Sequence, residues 1–259
     1  MQDLLPLLLN VRPFMILFAR VLGVVATAPV FGSALLPHRV VGALAMFVAF
    51  VLFPVVGGEL PQADLSATLD ALLVVKELAV GLTLGLVARM AFASLQVAGQ
   101  FMGMELGFAV AEVADPTTTG GRTSLLGQLY TVVSTLTFIG INGHHWFLLA
   151  LAKSYEAVPV MGYTASAGLA AAMLNSFAKF YMLGIQIAIP VVTCLVLATV
   201  AIGILAKTVP QVNILQMGFA LRIALGVLCL IVFMPVLGLQ MNQLFTCLRD
   251  EVFRALSLM

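Results

Sequence analysis

Five charged side chains interrupt the long apolar stretches of this sequence, and they are the residues best placed to do chemistry in apolar surroundings: Arg20, Lys76, Glu77, Arg89 and Lys179. Because a charge in lipid is costly, each should face a partner or water. A proton or ion pathway usually has an acidic residue deep in an otherwise uncharged helix, and the four longest uncharged runs, 40–58, 123–152, 180–206 and 223–248, contain none. We therefore favour a structural role for the five charges, in pairing between helices or across subunits.

Motifs for catalysis and cofactor binding are missing from the sequence. It has no HExxH zinc motif, no GxSxG nucleophile elbow, no GxGxxG and no Walker A sequence. The adjacent pair His144-His145 would point about 100° apart on a helix, so both cannot easily face one metal ion. We interpret the pair, beside Trp146, as a feature of the membrane interface. The sequence thus predicts no enzyme, no metal and no cofactor.

Composition places the chain among membrane proteins. Of its 259 residues, 62% are apolar and 9% are charged, whereas soluble domains have about 45–50% and about 25%. Twelve basic and eleven acidic residues cannot supply a polar shell, and such an apolar chain is not disordered. The basic residues are scattered singly, which excludes the clustered basic face of a nucleic-acid binder. We interpret the three cysteines as small buried apolar residues.

Six apolar segments are the elements that must position the charges. About 20 apolar residues cross a bilayer as a helix. Prolines within or beside these segments should bend or end helices, and broken backbone at membrane depth is tolerated when it is buried in protein. We therefore predict an all-α membrane protein of kinked helices and hairpins, packed into a hetero-oligomeric assembly. The segments are 14–30, 40–58, 72–104, 123–152, 180–206 and 223–248.

The segment 14–30 is marginal as an independent membrane helix because it carries Arg20. Insertion scales give Arg about +3 kcal/mol at a helix centre, and each Leu, Ile, Phe or Val about −0.3 to −0.6 kcal/mol. Nine such apolar residues contribute roughly −4 kcal/mol, so the sum is about −1 kcal/mol. This segment is expected to need protein neighbours.

Glycines four residues apart form two stripes on which another backbone could approach closely. Gly81 and Gly85 form the first stripe, and Gly99, Gly103 and Gly107 form the second. The first favours packing within the chain. The second fits packing within the chain and packing between subunits equally well.

The longest polar interruption, residues 105–124, has two interpretations. Asp115-Pro116 and Gly120-Gly121 are turn and breaker signals, which suits an ordinary helix end followed by a turn. The first half is nevertheless apolar, through Phe108, Val110 and Val113. That pattern suits a segment that fills a cavity or a pore.

Four stretches in order along the chain resemble the FliR family of flagellar type III export-gate proteins. The first reads FARVLGVVATAPVFGSALLPHRVVGALA, from 18 to 45, and the second reads KELAVGLTLGLVARMAFASLQVAGQFMGMELGFAVAEVADP, from 76 to 116. The third covers 128–159, and the fourth, AKTVPQVNILQMGFALRIALG, covers 206–226. The resemblance extends over nearly the whole chain.

This resemblance implies a function and partners. One copy of a FliR-like chain assembles with several FliP and FliQ subunits into a closed helical entrance gate for unfolded flagellar proteins, and FlhB docks on it. The expected location is the inner membrane, at the flagellar basal body. Residues 1–174 would be FliP-like, and residues 175–259 would form a FliQ-like helical hairpin.

The resemblance also implies that residues 106–122 form a loop that plugs the closed pore. Two alternatives remain open: an injectisome export-gate homologue, and a stand-alone transporter or channel with binding residues at the membrane midplane. The plug residues so identified are Leu106, Gly107, Phe108, Val110, Val113, Asp115, Pro116 and Arg122.

Overall fold

The structure is a computed structural model that describes residues 11–32, 37–56, 67–107, 124–160, 162–163, 166–208 and 214–259. Within these ranges the regular secondary structure is helical. No strand occurs within these ranges, and the expected all-α class is confirmed. The helices are α1 Val11–Thr27, α2 His38–Val56, α3 Ala67–Glu105, α4 Leu125–Gly140, α5 Gly143–Ala157, α6 Ala167–Thr208 and α7 Ile214–Ser257.

Four of these helices, α2, α3, α6 and α7, are long and apolar enough to cross a membrane. The pair α4 and α5 adds a fifth candidate if the two helices count as one span. At about 1.5 Å per residue, the 17 residues of α1 cover roughly 26 Å, which is less than the ~30 Å hydrocarbon core. The six apolar segments therefore correspond to four or five candidate crossings plus the short α1.

The bend between α4 and α5 occurs at Asn142 and not at a proline. The two helices meet at 71°, and Asn142 has a left-handed backbone with φ 56°, a conformation that Asn tolerates better than most residues. The N–H of His145 donates to the carbonyl of Asn142 at 3.0 Å, which closes the turn. Pro54 and Pro190, in contrast, lie inside the continuous helices α2 and α6.

The chain forms two compact units that interleave along the sequence. Unit 1 comprises Met1–Met90, Ile141–Ala178 and Cys247–Met259, and unit 2 comprises Ala91–Gly140 and Lys179–Thr246. Helices α3, α6 and α7 each contribute to both units. The division at residue 174, which rests on resemblance to two different subunits, stays a prediction.

Close contact of α1 with α3 organises unit 1. Gly81 lies against the backbone of Arg20, and Gly85 lies against Thr27, so that a Cβ at either glycine would overlap α1. On the α1 side, Gly23 lies against the backbone of Leu78. Residue numbers rise together along this contact, and the two helices therefore run in the same direction. The first glycine stripe is thus a packing surface within the chain.

Aromatic rings and glycines fill the interior of unit 2. Phe92, Phe138 and Phe245 have ring centroids 5.4–5.6 Å apart, a spacing typical of favourable aromatic pairs. Gly99 lies against the backbone of Leu126 at the start of α4, and Gly103 lies against Ser124. These two members of the second stripe also pack within the chain.

Candidate functional site

A buried ion pair joins α1 to α3 in unit 1. Arg20 is 0% exposed and Glu77 is 1% exposed. The Nε–H of Arg20 donates to Oε2 of Glu77 at 2.6 Å. A charge-assisted hydrogen bond in dry surroundings is strong, but the pair must first offset the desolvation of both ions.

The rest of the Arg20 guanidinium binds the carboxyl end of α5. Nη1 donates to the carbonyl of Ser154 at 2.7 Å and to its hydroxyl at 3.1 Å, and Nη2 donates to the carbonyl of Val158 at 2.9 Å. The carbonyl of Ser154 also accepts from the N–H of Val158 at 2.9 Å, so that it has two donors. A cation at this end suits the negative end of the helix dipole. Arg20 therefore caps α5 while it pairs with Glu77.

Tyr155 completes this cluster. Its ring centroid lies 4.2 Å from Cζ of Arg20, within the range of a cation–π contact. Its hydroxyl donates to the carbonyl of Leu17 at 3.1 Å. We call Arg20, Glu77, Ser154, Tyr155 and Val158 the Arg20 cluster. Its groups bind one another, which makes it a docking site for α1 and not a reaction centre.

The other three intramembrane charges lie outside the Arg20 cluster. Lys76 is half-buried on α3, Arg89 is exposed on the same helix, and Lys179 is exposed on α6. Of the five charges singled out in the sequence, the structure brings Arg20 and Glu77 together in a buried pair.

A second buried acid, Glu251, escaped the sequence analysis. It lies near the end of α7 at 4% exposure, and its Oε2 accepts a 2.7 Å hydrogen bond from the hydroxyl of Ser176 on α6. Its other oxygen lies 4.0 Å from Nη1 of Arg254. Charged residues surround Glu251 in the sequence, and nothing local marks Ser176, 75 residues away, as a partner.

The first two residues of the segment predicted as a plug, and Ser124 just beyond its last residue, lie in unit 2. Leu106 is buried against Gly226, where a Cβ would overlap it. Gly107 has φ 85°, a backbone that favours glycine. Ser124 precedes α4, and its hydroxyl accepts from the N–H of Gly127 at 3.1 Å, as a helix N-cap does. The remaining plug residues, Phe108, Val110, Val113, Asp115, Pro116 and Arg122, lie outside the described residues.

An apolar cavity of about 220 Å³ lies between α4 and α7 in unit 2. Its lining includes Leu126, Leu230 and Met234. Tyr130 brings the one hydroxyl of the lining, and this group donates to Sδ of Met102 at 3.4 Å. The rest of the lining is apolar, so the cavity offers a substrate little beyond apolar contact.

Fold and sites together define an α-helical membrane protein of several apolar helices. Among the described residues, no three His, Cys, Asp or Glu side chains are grouped so that they could hold a metal ion. The charged clusters tie helices together, and the glycines allow their backbones to approach. This arrangement is that of a helical membrane protein whose buried charged groups hold helices together.

Comparison with known proteins identifies the family. The family described as "Bacterial export proteins, family 1" matches residues 11–248. The flagellar biosynthetic protein FliR of Bacillus subtilis strain 168 is 32% identical over 95% of this chain and 95% of its own length. FliR of Escherichia coli K12 is 28% identical over 92% of this chain and 88% of its own. The chain belongs to this export-protein family, as a relative of the flagellar FliR proteins.

Proposed function

We propose that this chain is a core subunit of the flagellar type III protein export gate, in the inner membrane at the basal body. In this proposal it forms, with FliP and FliQ, the entrance pore for unfolded flagellar proteins. The observation that carries the proposal is end-to-end similarity to proteins named flagellar biosynthetic protein FliR. The same names favour the flagellar role over an injectisome role, and they are not names of enzymes.

A hetero-oligomer fits the apolar surface of the chain. The uncharged run 180–206 has 27 residues and spans about 40 Å as a helix, roughly 10 Å more than the hydrocarbon core. Leu197 and Ile204 in this run are exposed. Lipid can cover only part of such a surface, so protein neighbours are expected to cover the rest. We propose that these are FliP and FliQ, around one copy of this chain, with FlhB docked on the complex.

The plug belongs to the same proposal. Residues 106–122 would fill the closed pore, with Phe108, Val110 and Val113 as the apolar filling. An apolar constriction excludes water and ions and can still be displaced. The anchoring of Leu106 and Ser124 in unit 2 supports a loop held at both ends.

Native mass spectrometry tests the assembly. The tagged chain would be co-expressed with its chromosomal neighbours and extracted in mild detergent. We expect one large complex that contains a single copy of this chain and several copies of two small apolar partners. A monomer or a symmetric homo-oligomer that is stable without partners would refute the proposal and revive the transporter alternative.

A further inference from the structure

Helix α1 is poorly suited to hold its position in a membrane by itself. Its apolar residues barely outweigh the unfavourable insertion of Arg20. Its 17 residues are also fewer than the ~20 that cover the hydrocarbon core. In the folded chain, however, Arg20 is fully buried. Other parts of unit 1 must therefore hold α1 in place and provide partners for Arg20.

The acceptors for Arg20 all come from later parts of the chain. Glu77 follows it by 57 residues, Ser154 by 134 and Val158 by 138. Two separate helices, α3 and α5, must thus be in place before the guanidinium has the bonds seen in the structure. Until then, burial of α1 would leave a charged group without partners, which is strongly unfavourable.

Net stabilisation is a weak explanation for this buried ion pair. Replacing such a pair by apolar residues of similar volume is often neutral or stabilising, whereas removing one partner is strongly destabilising. The α1–α3 contact also has other contributions, from the close glycine approaches and from a second pair, Arg12–Asp70, at 2.5 Å and partly exposed. The Arg20 cluster therefore needs a role other than added stability.

We propose that Arg20 makes the docking of α1 conditional: the helix takes its place in unit 1 only when Glu77 and the carboxyl end of α5 are there to receive the guanidinium. An apolar residue at position 20 would allow α1 to enter lipid or pack on other apolar surfaces beforehand. The charge prevents this and restricts α1 to one correct position.

Hydrogen–deuterium exchange with mass spectrometry on the full-length chain in nanodiscs tests the proposal. In Glu77→Leu, the amides of residues 11–27 should exchange about 100-fold faster or more than in the unsubstituted chain, because Arg20 keeps its charge and loses its carboxylate. In the double variant R20L/E77L, protection of the same amides should return to that of the unsubstituted chain. Peptides from α4, in unit 2, report whether each variant is otherwise folded.

A matched control uses the second pair on the same two helices. Asp70→Leu removes the partly exposed partner of Arg12, and it should leave the exchange of α1 nearly unchanged because solvent can replace the lost carboxylate. As in Glu77→Leu, a carboxylate is replaced by leucine. A difference between the two variants therefore reports burial of the charge and not the introduction of leucine.

The part played by α5 is tested by Tyr155→Leu, which removes the ring beside Cζ of Arg20. The hydrogen bond to Leu17 is lost in both backgrounds, but the contact of the ring with Arg20 is lost only where Arg20 is present. Tyr155→Leu should therefore speed the exchange of the α1 amides more in the chain with Arg20 and Glu77 than in R20L/E77L.

Three results would overturn the proposal. In the first, the α1 amides of E77L exchange as slowly as those of the unsubstituted chain. In the second, the α1 amides of R20L/E77L exchange as fast as those of E77L. In the third, Tyr155→Leu speeds the exchange of α1 equally in both backgrounds. If E77L unfolds both units, the test rests on R20L/E77L. Its α1 amides should be as protected as in the unsubstituted chain, and loss of that protection would contradict the conditional docking of α1. Each result compares variants of one chain and says nothing of which partners it has, so the outcome is separate from the test of the export-gate function.

Discussion

Buried charged side chains in this chain bind directly to other side chains. Arg20 and Glu77 are both buried and bonded to each other, and Glu251 accepts from Ser176. Because a buried polar group without a partner destabilises a fold, these pairs constrain which helices can be neighbours. Each joins residues that are distant in the chain.

The two cysteines of unit 2 give a prediction about the contact of two single residues. The Sγ atoms of Cys194 on α6 and Cys229 on α7 lie 2.8 Å apart as free thiols. A small membrane-permeant oxidant should therefore convert them to an intramolecular disulfide, with the loss of two hydrogens. Peptide mass spectrometry without reductant would identify the linked peptides.

Cys247 is the internal control for this prediction, because it follows Cys229 on α7 by about 18 residues, or roughly 27 Å along the helix. It should remain a thiol and react with an alkylating reagent after oxidation. Cross-links through Cys247, or no link between Cys194 and Cys229, would contradict the arrangement of α6 and α7 in unit 2.

Helices pack closely here where glycine leaves room for a neighbouring backbone. The glycine spacing alone predicted close approach, and both stripes indeed face other helices of the same chain. Helix breaks were harder to predict, since the prolines inside α2 and α6 do not end those helices where they occur. The break came at Asn142, where no proline marks it.

A pair of glycine substitutions tests the packing of α1 on α3. Gly81→Ala should lower the free energy of unfolding by about 1–3 kcal/mol, because the added methyl group overlaps the α1 backbone and the packing must open. Gly42→Ala is the matched control: no atom lies within 4 Å of a Cβ there, and alanine should stabilise α2 by about 0.5–1 kcal/mol.

Thermal unfolding in one detergent would measure both variants against the unsubstituted chain. Equal shifts for Gly81→Ala and Gly42→Ala would contradict the close approach of α1 to α3.

The whole molecule exposes more apolar surface than a soluble protein does. Leu239 on α7 is 72% exposed, and Leu197 on α6 is 65% exposed. Because large exposed apolar patches mark contacts with membranes or other proteins, we expect lipid or protein neighbours to cover these helix faces.

The plug prediction belongs to this scale because it requires the assembled pore. Deletion of residues 108–113 should make membranes that contain the complete gate leaky to small ions, because it removes the apolar filling. Membrane conductance, or growth in the presence of a toxic ion, would measure the leak. Conductance equal to that of the intact gate would refute the plug.

Substitution of Thr117, Thr118 and Thr119 by serine is a control for the deletion. It changes the same polar interruption but keeps its apolar half. These membranes should stay as tight as those with the intact gate, and a leak in both variants would point to general disruption of the pore.

Local composition determined the class, the helical segments and the family resemblance of this chain, because apolar run length and glycine spacing act within a few turns of one helix. Only the tertiary structure decided that Arg20 caps α5, that Glu251 binds Ser176, and that the chain divides into two interleaved units. The physical reason is distance along the chain. The partner of a buried charge depends on which helix packs beside it in the folded chain. The residues near Arg20 in the sequence do not indicate that it binds a carbonyl 134 residues later.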